Sequence, residues 1–327
     1  MRIVLAAVLA AVAMMCSVAA GAGARQNPGM QMLAIENYAG ARAYFQSSLR
    51  QNPHDATSAA GMASLSLAEG RNKAGVDWAR KAIALAPTDA LYQMLLGVAY
   101  GQYVHDVSIF SQLGIAYKVR DAFREAVQLD PNNAQARAGL AKYYILAPGI
   151  AGGSLSKADG QLAALDKLDP VQAAAVRATL AQENKNIQQT EDYLRTAARL
   201  DKTGNGDFWR GTFLLHHERY GDALTAFQDG IVKNPDNSLN YYGVGQVATQ
   251  GKIQLEAGIR DLKKYLAMPH DWLPGTPTYK QAHYQLGMLY ARVGDKLAEK
   301  AQYVAALSLD PHYKQAKEAL ASVSASL

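Results

Sequence analysis

The sequence predicts an all-α fold made by repeating one helix pair, and three observations carry that prediction. Prolines recur at a fixed interval: Pro53 and Pro87 are 34 residues apart, and so are Pro235 and Pro269. Ahead of these prolines, positions −8 and −5 hold a large apolar residue and usually a small one: Phe45 and Ser48, Phe123 and Ala126, Leu162 and Leu165, Phe227 and Gly230, Tyr303 and Ala306. Residues three apart share one helix face. Further upstream a Leu-Gly/Ala-x-x-Tyr box recurs as Leu96-Gly97…Tyr100, Leu140-Ala141…Tyr144 and Leu286-Gly287…Tyr290, with Val244-Gly245…Ala248 as a weaker copy. A constant period of this length marks stacked repeats. In each period the small residue of the box lets the paired helix approach, the Tyr fills the gap one turn later, and the proline stops the second helix.

The units follow in order. Residues 28–53 form an incomplete first pair with a short opening helix, Gln31 to Tyr38. Residues 56–87 form the second, with Ala79 and Ala82 a thinner face and Trp78 placed to pack between units. The third (90–131) carries a ten-residue insertion, read as helix extension plus a longer turn. The fourth (134–170) has five extra residues. The fifth (171–202) is degenerate, with Lys202 where a proline is expected, and a slight hinge is expected at Thr203-Gly204-Asn205-Gly206. The sixth (207–235) and seventh (238–269) keep the pattern. The eighth (278–311) departs from it at Glu299, where a small residue is usual. Tyr313 to Leu320 reads as a solubilising end helix.

This pattern resembles the tetratricopeptide repeat family over roughly residues 30–325. The resemblance implies a right-handed superhelical solenoid of antiparallel helix pairs, with a concave groove that holds a peptide or protein segment. The Pro148-Gly149-x-x-Gly152-Gly153-Ser154 loop, followed by Lys157-Ala158 and Leu168-Asp169-Pro170, looks like a subgroup of exported bacterial members. That likeness brings no activity with it.

Composition agrees with a folded repeat protein. Of 327 residues 49% are hydrophobic and 19% charged, which is ordinary for a globular chain. The net charge of +5 is spread out, and no run of five Lys/Arg supports nucleic-acid binding. Residues 1–24 read as a secretory signal peptide: Arg2, an apolar run from Ile3 to Met15, and Ala22-Gly23-Ala24 as the cleavage signal. The run is short for a membrane span, so release into the periplasm or outside is expected, with no span after cleavage. Anchoring through the single cysteine, Cys16, is the minority reading, because Met14-Met15 precede it. Residues 25–327 then form the solenoid of about eight units.

Little in the sequence points to catalysis, cofactor or metal. The glycine-rich stretch 147–154 follows a helix and lacks the Gly-Lys-Ser/Thr ending of a phosphate loop. It reads as a turn into a capped helix, with Ser156 and Asp159 in capping-box spacing. In His216-His217-Glu218 the histidines are adjacent and point about 100° apart, whereas metal helices space ligands by three or four. Counting from each box, the groove is expected at Met94, Val98, Lys142, Phe208, Thr212, Tyr242, Gln246, Tyr284 and Met288. In its best-known charged groove the family clamps a peptide carboxylate with Lys, Asn and Arg. These positions offer one Lys and no matching Asn, so an extended or helical partner held by apolar and aromatic contacts is expected. The first reading is therefore an exported protein-interaction scaffold and not an enzyme. The alternatives are a helical enzyme or carrier using the loops 102–111, 147–156 and 270–278, and an architectural subunit with a convex apolar patch. Trp272, in the last of those loops, is expected to cover the core or line the groove.

Overall fold

The computed structural model describes residues 27–269 and 276–324. The leader, Cys16 and Trp272 lie outside them. Among the described residues there are seventeen α-helices, two short 3-10 turns and no strand, so the all-α expectation holds. In chain order the helices are α1 (Pro28–Ala34), α2 (Tyr38–Gln51), α3 (Ala56–Ala68), α4 (Asn72–Leu85), α5 (Ala90–Tyr103), α6 (Ile109–Leu129), α7 (Ala134–Leu146), α8 (Leu155–Leu168), α9 (Pro170–Glu183), α10 (Ile187–Leu200), α11 (Asn205–His216), α12 (Tyr220–Lys233), α13 (Ser238–Gly251), α14 (Leu255–Leu266), α15 (Tyr279–Val293), α16 (Lys296–Leu309) and α17 (Lys314–Ser324). They fall into two compact units, one running to Tyr193 and the other starting at Leu194.

The turns show why pairs follow one another. The proline stops a helix, and an Asp or Asn one or two residues later caps the next. Asp55 accepts from Ser58 N, Asp89 from Leu91 N, Asn133 from Ala136 N and Asn237 from Leu239 N. Three boundaries differ from the sequence reading. α1 starts at Pro28, because Asn27 Oδ1 accepts from Gly29 N and Met30 N; it ends before Glu36, whose φ is +55°, and Tyr38 opens α2. Pro170 is the first residue of α9, where a missing N–H costs nothing, so Asp169 ends one helix and caps the next. The cap of α8 is Ser154, whose hydroxyl accepts from Lys157 N, two residues ahead of the predicted Ser156.

In the first unit the two aromatic plugs of second helices, Phe45 and Phe123, each sit between two glycines. Phe45 is fully buried; a Cβ on Gly29 or on Gly61 would lie 2.5 or 2.3 Å from its ring. Phe123 is held likewise by Gly97 of its own pair (2.9 Å) and Gly139 of the next (2.6 Å). Trp78 is partly buried and touches both the Phe45 cluster and the larger core that follows it, as its place between units predicts. The third repeat's insertion becomes a 3-10 turn (Val104–Asp106) plus a lengthened α6 of 21 residues. The lengthened α6 meets the fourth repeat's loop where Tyr117 Oη donates to Ile150 O at 2.6 Å, and from α7 Tyr143 Oη donates to Ala151 O at 2.7 Å. Gly152 there has φ +86°, and a Cβ on Gly153 would strike Ala147 O at 1.7 Å. These two glycines shape the loop, and no phosphate cradle is needed to explain them.

In the second unit Phe227 lies between Gly211 and Gly243, Leu262 against Gly245, and Tyr303 against Gly287. Burial, helped by Glu299, pushes the Tyr303 phenol up to about 12. The unusual glutamate thus sits beside the plug of its own repeat. The turn at 203–206 is pinned. Asp201 accepts from Thr203 N, Thr203 Oγ1 and Gly206 N, while Asn234 and Asn237 donate to Thr203 O and Asn240 donates to Gly204 O. These six bonds tie the turn, where a slight hinge is expected from composition, to Asp201 and to the asparagines that follow. Lys233 Nζ reaches Asp207 at 2.7 Å and Ala198 O at 2.7 Å, tying α12 to α10 and α11. α17 closes this unit by burying Ala316 and Val323 and exposing its polar face.

Candidate binding face

The nine groove positions all fall on first helices of pairs, but the two units treat them differently. In the first unit Met94 (0% exposed), Val98 (1%) and Lys142 (1%) are enclosed. Met94 and Val98 share a core with Ile115 and Ala116 of the lengthened α6 and with Tyr143 and Tyr144 of α7. The insertion that extends α6 therefore builds core beside the side chains that counting assigned to a groove. As folded, these three present almost no surface to a partner.

In the second unit five of the six positions keep partial exposure: Phe208 and Thr212 on α11, Gln246 on α13, Tyr284 and Met288 on α15. Phe208 lies 5.9 Å from the Phe227 ring, and Tyr284 lies 5.9 Å from Tyr303 and 5.6 Å from Tyr313. Each aromatic thus braces a plug with one side and keeps an outer edge. Tyr242 is the exception. It is 4% exposed, its ring is 5.3 Å from Tyr265, and its hydroxyl accepts from Gln285 Nε2 at 2.7 Å. Burial drives its phenol pKa well above the usual value. Tyr242 is a core residue that links α13 to α15.

The five partly exposed side chains carry no charge. At one end of these helices His216 Nδ1 is 2.7 Å from Thr212 O, and Arg292 donates to the carbonyls of Ala248 and Thr249. His217 Nδ1 is held by Phe213 O at 2.9 Å. The adjacent histidines each turn to their own helix, on carbonyls one residue apart, and do not converge. Among the described residues no three His, Cys, Asp or Glu side chains are grouped to hold a metal ion, and no helix is long and apolar enough to cross a membrane. In the first unit the hollow between α5 and α6, lined by Gln93, Leu96, Tyr100, Lys118, Asp121 and Ala122, is shallow and open. Sequence reasoning missed Gln285 and the glycines one helix on from each plug (Gly61, Gly139, Gly243). A glycine two residues before the box's small residue, Gly139 before Ala141 and Gly243 before Gly245, was the available signal for two of these.

Tetratricopeptide repeat models match residues 32–98 and residues 280–313. The chain carries tetratricopeptide repeats over these two stretches. The two stretches lie at opposite ends of the predicted array, and successive α-helices occupy the described residues between them. Among solved structures, similarity is found to a chain of the APC/C hetero-tetramer Cut9–Hcn1 (14% identity, 89% of this chain and 54% of that chain, TM-score 0.46). It is found to TTC0263, a thermophilic tetratricopeptide repeat protein of Thermus thermophilus (16%, 67% and 95%, 0.43), and to the tetratricopeptide repeat domain of P58(IPK) (17%, 93% and 98%, 0.32). This chain spans about half the length of the Cut9–Hcn1 chain that it matches. No curated protein is significantly similar in sequence.

Proposed function

We propose that this protein is an exported scaffold that holds a segment of another protein along the first helices of its second unit. The observation that carries this is the uncharged strip Phe208, Thr212, Gln246, Tyr284 and Met288, partly open on three successive first helices. Aromatic and Met side chains held by packing behind them give contact area at small cost in conformational entropy, and the absence of charge suits an apolar segment. Tetratricopeptide repeats bind other proteins, which supports the class of partner. The leader at residues 1–24 supports delivery to the periplasm or the outside, with the processed chain free of a membrane span. The make-up of the strip, aromatic and Met side chains beside neutral polar ones, supports binding as the role.

The test is a photo-crosslinking residue at Gln246 in the living cell, with Met288→Asp as the competing variant. One discrete adduct should form from the processed envelope fraction, and it should be lost in Met288→Asp while the melting curve is unchanged. Adducts that persist in Met288→Asp, or an unprocessed cytoplasmic chain, would remove the binding site or the location respectively.

A further inference from the structure

The two insertions of the third and fourth repeats lie against each other in the first unit, through Tyr117 Oη on Ile150 O and with Arg120 beside Gly152. They also carry four large apolar side chains left in solvent: Phe110 (94% exposed), Ile150 (74%), Leu155 (54%) and Ile109 (37%). Phe110, Gly114 and Tyr117 stand at i, i+4 and i+7, one face of α6. Gly114 is interior to the helix, yet a Cβ there would meet nothing within 4 Å. Glycine is a poor helix former, and packing among the described residues makes no use of its smallness, unlike Gly97 and Gly139 around Phe123. The face therefore offers a protruding ring and, one turn on, a place where another surface can reach the helix backbone.

We propose that this face pairs two copies of the chain, α6 against α6 in antiparallel order, each Phe110 seated over the Gly114 of the other copy. A knob and a hole on one face satisfy each other twice under a single two-fold operation. Charge agrees with that order. Asp106 precedes the knob and Lys118 follows the hole, both exposed, so antiparallel pairing sets acid toward base, whereas parallel pairing sets like toward like. This pairing is independent of the strip in the second unit.

Sedimentation velocity of the full chain over a concentration series tests it. A monomer–dimer equilibrium is expected, weakened about tenfold or more by Phe110→Ser and by Gly114→Leu. Both variants should keep the circular dichroism and melting curve of the parent, since neither site is packed. Val232→Ser, at an equally open residue elsewhere (81% exposed), should leave association unchanged. Lys118→Asp should weaken it, and adding Asp106→Lys should restore it. A dimer indifferent to Phe110→Ser and Gly114→Leu would overturn the pairing. So would a parent chain that stays monomeric at every concentration, and that outcome would assign the open face to another protein.

Discussion

Phe123 tests the packing rule most directly. It is fully buried between the backbones of Gly97 and Gly139, so Phe123→Ala removes a ring with packed atoms on both sides. Losing its burial costs about 2–3 kcal/mol. A residual cavity of about 80 Å³, at about 24 cal/mol per Å³, adds about 2 kcal/mol. The expected loss is about 4–5 kcal/mol in urea unfolding followed by circular dichroism, with the slope of the transition unchanged. The reverse perturbation should also hurt. Gly139→Ala puts a methyl 2.6 Å from the ring and should cost about 1–3 kcal/mol by overpacking. Pairing Gly139→Ala with Phe123→Leu gives the methyl room, so the double variant should cost at least about 1 kcal/mol less than the sum of the singles. Strict additivity, or a loss below about 1 kcal/mol for Phe123→Ala, would refute the claim that the ring is clamped from both repeats.

Tyr242→Ala should cost about 3–5 kcal/mol as a core deletion, while Tyr242→Phe, which loses only the bond from Gln285, should cost about 1 kcal/mol; a melting curve unmoved by Tyr242→Ala would return this residue to the binding strip. Burial pushes the Asp207 carboxyl up, and Lys233 pulls it back down. In Lys233→Met its folded pKa rises further above the unfolded one, so stability should fall as pH rises through that range. The loss should reach about 3–5 kcal/mol at neutral pH and shrink near about pH 4, and equal losses at both pH values would exclude the buried charge as the cause. Lys280 holds the Asp310 carboxyl below its usual range. Its contribution is therefore present above the unfolded carboxylate pKa and lost as pH falls through the folded one. Lys280→Met should flatten the acid side of the melting temperature profile, and an unchanged profile would assign the pair no role in acid stability.

Sequence by itself determined the helix pairs, because the facts that define them are local. A proline cannot continue a helix, an Asp or Asn beyond it caps the next, and Phe or Tyr eight residues before it must be buried. It also showed that one plug needs a small neighbour, at Gly97, Gly245 and Gly287. Tertiary structure decided what local pattern cannot reach. Each phenylalanine plug is shared with the following repeat, so Gly139 and Gly243 count as much as Gly97 and Gly211. Met94, Val98 and Tyr242 became core where Phe208, Gln246 and Met288 stayed partly open, since exposure depends on which helices pack across a residue and not on its place in the repeat. The turn at 203–206 looked loose by composition and is tight by hydrogen bonding from asparagines more than thirty residues away. The two insertions, each ordinary as a run of residues, found one another only in the folded chain.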